Sequence, residues 1–207
     1  MEVTLLVPGY ATPIWFLKIL EHRLRKDGEQ TEIVKLPRYG MGDIKSSAAI
    51  LKKRIDYWKD KSTSIDIIGY SLGGVIAKYC LKYLGSGKDI RLLFHLCVPQ
   101  GGIITGLPLL TAPCLTTKAG RQIFIGSRFM ESLTQQQGNS VKEIAIYAKG
   151  DLMLIPTGCR IVEGGKNICL RWPIMGTLGH WVVPFSSQVY ELIKAEKERY
   201  KEKSKTG

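Results

Sequence analysis

Apolar runs of about strand length alternate along the chain with stretches whose apolar positions recur at helical spacing. "EVTLLVPG" reads as a buried strand ended by a Pro-Gly turn, and "ATPIWFLKILEHRLRKDG" follows as a helix with Thr12 as N-cap and Pro13 at its first position. "TEIVKLP" and "GDIKSSAAILKKRIDYWKD" repeat the unit. Here Asp43 is placed to cap, and Ile44, Ala48, Leu51, Ile55 and Trp58 fall on one helix face. "SIDIIGY" with "SLGGVIAKYCLKYLGSG" is the third unit. A fourth strand, "IRLLFHLCV", leads into a long stretch rich in Gly, Pro, Leu and Thr before the strand "KEIAIYAKGD". "CRIVEGGKNICLRW" reads as a hairpin that supplies the last strand, and "SSQVYELIKAEKERYKEK" as a closing amphipathic helix. Short apolar strands alternating with helices predict a single α/β domain over residues 1–207. The expected form is about six mostly parallel strands, helices on both faces and a small insertion after the fourth strand, over 101–140.

Composition refines this picture in two respects. At 207 residues and 44% hydrophobic, the chain can bury one good core but not two. Thirty Lys and Arg against eighteen Asp and Glu leave a net charge of +12, which raises the question of nucleic acid or an anionic membrane surface. Much of that charge lies in "KILEHRLRK", "KKRIDYWKDK" and "KAEKERYKEKSK", where both signs alternate as on solvated helix faces; no nucleic-acid-binding motif is present. A weak association with anionic membrane surfaces stays open. No apolar stretch approaches the roughly 20 residues of a membrane span and no secretory signal opens the chain, so the expectation is a soluble, cytoplasmic protein. The five cysteines lack metal-ligand spacing. Cys80 and Cys97 read as small core residues, whereas Cys159 and Cys169 flank the predicted hairpin and could face each other as a disulfide.

The chemistry concentrates in "IDIIGYSLGGVIAKYC". Gly69 and Gly73 flank Ser71 by two residues on each side, a G-x-S-x-G pattern in which a strand turns sharply into a helix and leaves the serine exposed at the strand end. Gly74 extends the close approach. The plain alternative is a glycine-rich turn with a capping serine, but the flanking strand and helix are the context that the catalytic pattern demands. A serine hydroxyl needs a base and oxyanion donors to act as a nucleophile. The Leu72 N–H, at the start of the following helix, is one candidate donor, and the Tyr10 N–H, after Gly9, is the other.

Three histidines compete for the role of base. His22 falls in a helix and His95 inside a strand. His180, in "MGTLGHWVVP", lies on a loop just before the last helix, where an imidazole can reach over the strand ends. Asp151 directly follows an apolar strand and is the candidate acid, with Glu163 as the alternative; Asp66 and Asp89 precede their strands and sit at the wrong end of the sheet.

With these residues in place, the chain resembles α/β-hydrolases of the small bacterial lipase and esterase type. "LVPGY", "DIIGYSLGG", "VPQGG", "AGRQIFIGSRFMESL", "YAKGDLMLIP", "GGKNICL" and "GHWVVPFSSQVYELI" carry the likeness along most of the chain. The resemblance implies Ser71 as nucleophile, Asp151 as acid and His180 as base, the trio that the residues themselves point to. Pro8 and Gln100 stand where such lipases commonly carry histidines, and their early antiparallel strands have no counterpart here.

The apolar stretch after the fourth strand reads as a lid or acyl-binding wall, with Tyr10, Trp172 and Trp181 as candidate substrate contacts. The expected activity is cleavage of small-molecule or lipid acyl esters through an acyl-enzyme. An acyltransferase or thioesterase would use the same trio, and a non-catalytic basic protein at a membrane surface would use none of it. No metal or organic cofactor is implied, since "GSGKD" lacks the spacing of a phosphate-binding loop.

Overall fold

The apolar runs become the strands of one sheet. The computed structural model describes residues 1–103, 114–134, 141–149, 151, 154, 159–160, 164–172 and 178–206. The strands are β1 (Glu2–Val7), β2 (Gln30–Ile33), β3 (Ser64–Tyr70), β4 (Ile90–Leu96), β5 (Lys142–Ala148) and β6 (Lys166–Leu170). They lie in the order β2-β1-β3-β4-β5-β6, and every neighbouring pair is parallel. Leu6, Ile68, Phe94 and Ile144 pair across the centre, all buried. Strands covered on both faces have no solvent side, which is why β3 and β4 read as continuous apolar runs rather than as alternation.

One helical layer holds α2 (Ile44–Lys59) and α3 (Leu72–Tyr83), joined by α4 (Lys118–Ile123) and α5 (Arg128–Thr134) from the insertion. The other holds α1 (Lys18–Lys26), the short α6 (Gly179–Val182) and the long α7 (Ser187–Thr206). Asp43 caps α2 as expected, its Oδ1 accepting from the Lys45 N–H at 3.0 Å, and the five predicted face residues are buried. The same carboxylate binds the insertion: Gln122 Nε2 donates to it at 3.0 Å and Lys118 Nζ pairs with it at 2.5 Å. The insertion is therefore tethered to the N-terminus of α2. Its residues 104–113 and 135–140 lie outside the described residues.

Two local expectations fail. Thr12 does not cap a helix: Ile14–Leu17 form a 3-10 turn without a side-chain cap, and the Thr12 hydroxyl donates back to the Tyr10 carbonyl at 3.1 Å. The segment read as a hairpin does supply the last strand, β6, at the edge of the sheet and parallel to β5; residues 161–163 of the expected hairpin, including Glu163, lie outside the described residues. The Cys159–Cys169 disulfide is absent as well. Both are free thiols: Cys169 is exposed on the edge strand, whereas Cys159 is buried and feels the Asp151 charge.

The C-terminal helix also departs from the picture of a solvated face. Lys197 is 3% exposed and Glu196 4%. Lys197 Nζ reaches Thr4 Oγ1 at 2.6 Å, Glu29 at 2.5 Å and Asp66 at 3.2 Å, which pins α7 across the amino ends of β1 and β3. The β3–β4 register slips after Ile65 and leaves Arg91 unpaired in the ladder. Its guanidinium grips Asp66 through Nε and Nη2, at 2.9 and 2.6 Å, and the carboxylate of Glu2 through Nη1 and Nη2. Lys201 completes the group on Glu2 at 2.7 Å.

Candidate active site

The strand order reverses between β1 and β3, which opens a crevice beyond their carboxyl ends. Ser71 sits there, as the residue between β3 and α3, with φ 50 and ψ −122. That conformation costs about 1–3 kcal/mol for a residue with a side chain and persists only where the surroundings fix it. The Ser71 N–H donates to the Leu96 carbonyl at 2.8 Å, and the Ser71 carbonyl accepts from the Gly74 N–H at 3.1 Å.

The predicted glycines are what lets the turn close. A Cβ on Gly69 would come within 2.4 Å of Gly74 Cα, and one on Gly73 within 2.0 Å of the Val7 carbonyl oxygen. At Gly74 it would strike the Val98 side chain at 2.2 Å. Gly9 brings the loop after β1 against the turn, since its own Cβ would lie 3.0 Å from that of Ser71. Among the described residues, neither the Leu72 nor the Tyr10 amide has a hydrogen-bond acceptor.

Ser71, His180 and Asp151, distant in sequence, lie on one hydrogen-bonded line. The Ser71 hydroxyl is 3.1 Å from His180 Nε2, and His180 Nδ1 is 3.0 Å from Asp151 Oδ2. An ionised carboxylate only accepts, so Nδ1 carries the ring proton and Nε2 is left to accept from the serine. Asp151 and His180 are 3% and 6% exposed, whereas Ser71 is partly open. The second carboxylate oxygen, Oδ1, accepts from the Leu154 N–H at 3.2 Å. Tyr70 supports His180 from below: its hydroxyl donates to the His180 carbonyl at 3.0 Å, and the two rings stand 5.4 Å apart. Burial, with Cys97 and Asp151 adding to it, pushes the Tyr70 phenol well up, so it remains a donor. Gly179 lets α6 press onto β5, because a Cβ there would lie 2.2 Å from that of Ala148.

The other candidates scatter. Trp181 stands edge-on to His180 at 5.9 Å and is partly exposed beside it. Trp172 instead donates through Nε1 to Gln188 at the start of α7. The Tyr10 hydroxyl accepts from Thr117 of the insertion at 3.1 Å, which joins the loop after β1 to the base of α4. Of the remaining histidines, His22 is exposed on α1, and His95 is buried with its Nε2 2.9 Å from Glu143. The reading of the sequence missed Cys97. Its Sγ, an Asp151 carboxylate oxygen and a His180 ring nitrogen all lie within 4.8 Å of one another. Three such donors could in principle hold a metal ion, but both ring nitrogens of His180 are engaged by Asp151 and Ser71.

No protein-family model matches the chain, and no curated protein matches it in sequence. Solved structures do. Lipase BlEst2 of Bacillus licheniformis in its mature form superposes with a TM-score of 0.76 at 12% identity, over 93% of this chain and 90% of that one. Lipase B of Aspergillus fumigatus gives 0.72 at 20% identity, over 81% of this chain; that is 44% of the lipase, so the chain spans less than half of its length. The RedJ thioesterase of the prodiginine biosynthetic pathway in Streptomyces coelicolor gives 0.58 at 12%, over 96% and 85%. These likenesses establish the α/β-hydrolase fold for this chain.

Proposed function

We propose that the protein is a serine hydrolase that cleaves carboxylic acyl esters, with Ser71 as nucleophile, His180 as general base and Asp151 as the acid that orients it. The observation that carries this reading is the unbroken line from Ser71 Oγ to His180 to the buried Asp151, at 3.1 and 3.0 Å, on a strained turn. In the first half, His180 Nε2 takes the hydroxyl proton as Ser71 Oγ attacks the ester carbonyl, and the imidazolium returns the proton to the departing alcohol. In the second half, the same nitrogen takes a proton from water, which attacks the acyl-enzyme and releases the acid. The Leu72 and Tyr10 amides are the oxyanion donors, both free of other acceptors among the described residues and both brought to Ser71 by glycine. The apolar composition of the 101–140 insertion suits it to receive an acyl chain.

A thioesterase or acyltransferase would use the same groups, and the thioesterase among the structural neighbours makes the comparison concrete. The test is hydrolysis of p-nitrophenyl esters of increasing acyl length beside an acyl thioester, with wild type and Ser71→Ala at equal concentration. Ester turnover that the substitution abolishes supports the proposal, and a rate dominated by the thioester reassigns the substrate. Equal inactivity of both proteins on every substrate overturns it.

A further inference from the structure

One oxygen of Asp151 faces His180 and the other the Leu154 backbone amide, yet a second side chain, that of Cys97, lies within 4.8 Å of this carboxylate. Cys97 is 0% exposed and stands at the carboxyl end of β4, one residue past the strand. Its backbone has φ 49, in the left-handed region that a residue with a side chain visits at a cost. The conformation is held by the Cys97 N–H, which donates to the Ile146 carbonyl on β5 at 3.0 Å. The consequence is that the thiol turns toward the strand that delivers Asp151. Strain at a strand end beside a reaction centre calls for a role, and packing alone needs no such backbone.

We propose that Cys97 is a positioning residue of the triad, whose thiol donates to the Asp151 carboxylate and thereby sets how strongly Asp151 holds the His180 imidazolium. The proposal rests on the triad reading above. Among the described residues, the titratable and polar groups that face the pair include Ser71 and Tyr70 from the β3–α3 turn, Cys97 after β4, and Cys159, whose buried thiol also feels the Asp151 charge. A thiol that ionised here would set a second negative charge beside Asp151. Burial, together with the Asp151 charge, pushes the Cys97 thiol well up, so it stays protonated and remains a donor. An S–H donor is weaker than a hydroxyl, and it therefore steadies the carboxylate while leaving most of its charge to the imidazolium.

The sign of the effect follows. A stronger donor at position 97 draws charge away from His180, so the ring gains its proton at lower pH; loss of the donor does the reverse. The experiment follows the histidine ring nitrogens by NMR across pH in wild type, Cys97→Ser, Cys97→Ala and Cys97→Gly, with His180→Asn used to assign the signal. Glycine tolerates the positive φ and so provides a thiol-free variant that keeps the backbone. The expected result is that the His180 transition moves down by about half a pH unit in Cys97→Ser and up by a similar amount in Cys97→Ala and Cys97→Gly. The acid limb of kcat/KM should move the same way. No movement, or movement in one direction for all three, overturns the proposal. Because the NMR titration needs no turnover, an inactive wild type would refute ester hydrolysis without touching the Cys97 result.

Discussion

Asp66 lies at the opposite end of the sheet from Ser71, which allows stability and chemistry to be separated by one substitution. Asp66→Asn keeps the shape and removes the charge from a carboxylate that is 1% exposed and accepts from Arg91 at 2.9 and 2.6 Å and from Lys197 at 3.2 Å. Breaking a buried ion pair by removing one partner costs about 3–5 kcal/mol, because the other charge is left uncompensated. Here each cation keeps a second carboxylate: Arg91 retains Glu2, and Lys197 retains Glu29. The lower bound therefore applies, about 3 kcal/mol. In a chain of this size that corresponds to a fall in melting temperature of about 6–12 °C. Urea unfolding and differential scanning calorimetry measure it, with ester hydrolysis well below the melting range as the control, where kcat/KM should stay within about twofold of wild type. A melting shift of less than about 2 °C would refute the argument, since it would mean that water, rather than the protein, solvates this carboxylate.

Three further outcomes are expected. If ester cleavage runs through His180 as proposed, Gly179→Ala should lower kcat/KM by about 100-fold, since its Cβ would meet Ala148 at 2.2 Å and displace His180; Ala148→Gly in the same chain should restore most of the loss, and kinetics of the double variant check it. At Glu2, burial alone would raise the carboxyl, but hydrogen bonds from Arg91 and Lys201 outweigh it and bring it from 4.5 down to about 2. Its contribution to stability is thus complete above 4.5 and lost as pH falls toward 2, so the melting difference between wild type and Glu2→Gln should shrink across that interval. A thiol reagent should label Cys169 at once and Cys80, Cys97, Cys114 and Cys159 only on unfolding; mass spectrometry of the labelled peptides reads the order.

The features that the sequence announces are those whose cause is local. The period of apolar positions reveals β1, β3, β4 and the face of α2, because burial on one or both sides dictates which positions must be apolar. The turn at Ser71 is visible because only glycine fits at Gly69 and Gly73. Asp151 stands out by its position just after a strand, and His180 by its position shortly before the last helix, where the structure sets it on the short α6. What stays hidden depends on partners distant along the chain. In "KAEKERYKEK" nothing distinguishes Lys197 from its neighbours, since its burial is decided by Thr4, Glu29 and Asp66. Cys97 looks like any small core residue until the bond from its amide to Ile146 turns it toward Asp151. The place of β6 at the edge beside β5 is hidden in the same way, because it depends on where β5 leaves a free edge.

The ion pair between Glu2 and Lys201 brings the first strand and the last helix together at the base of the sheet. With Lys197 held by Glu29 and Asp66 as well, the last helix and the amino ends of the central strands form one cooperative unit, so opening of that helix and loosening of that end of the sheet go together, while the crevice at the other end keeps its geometry.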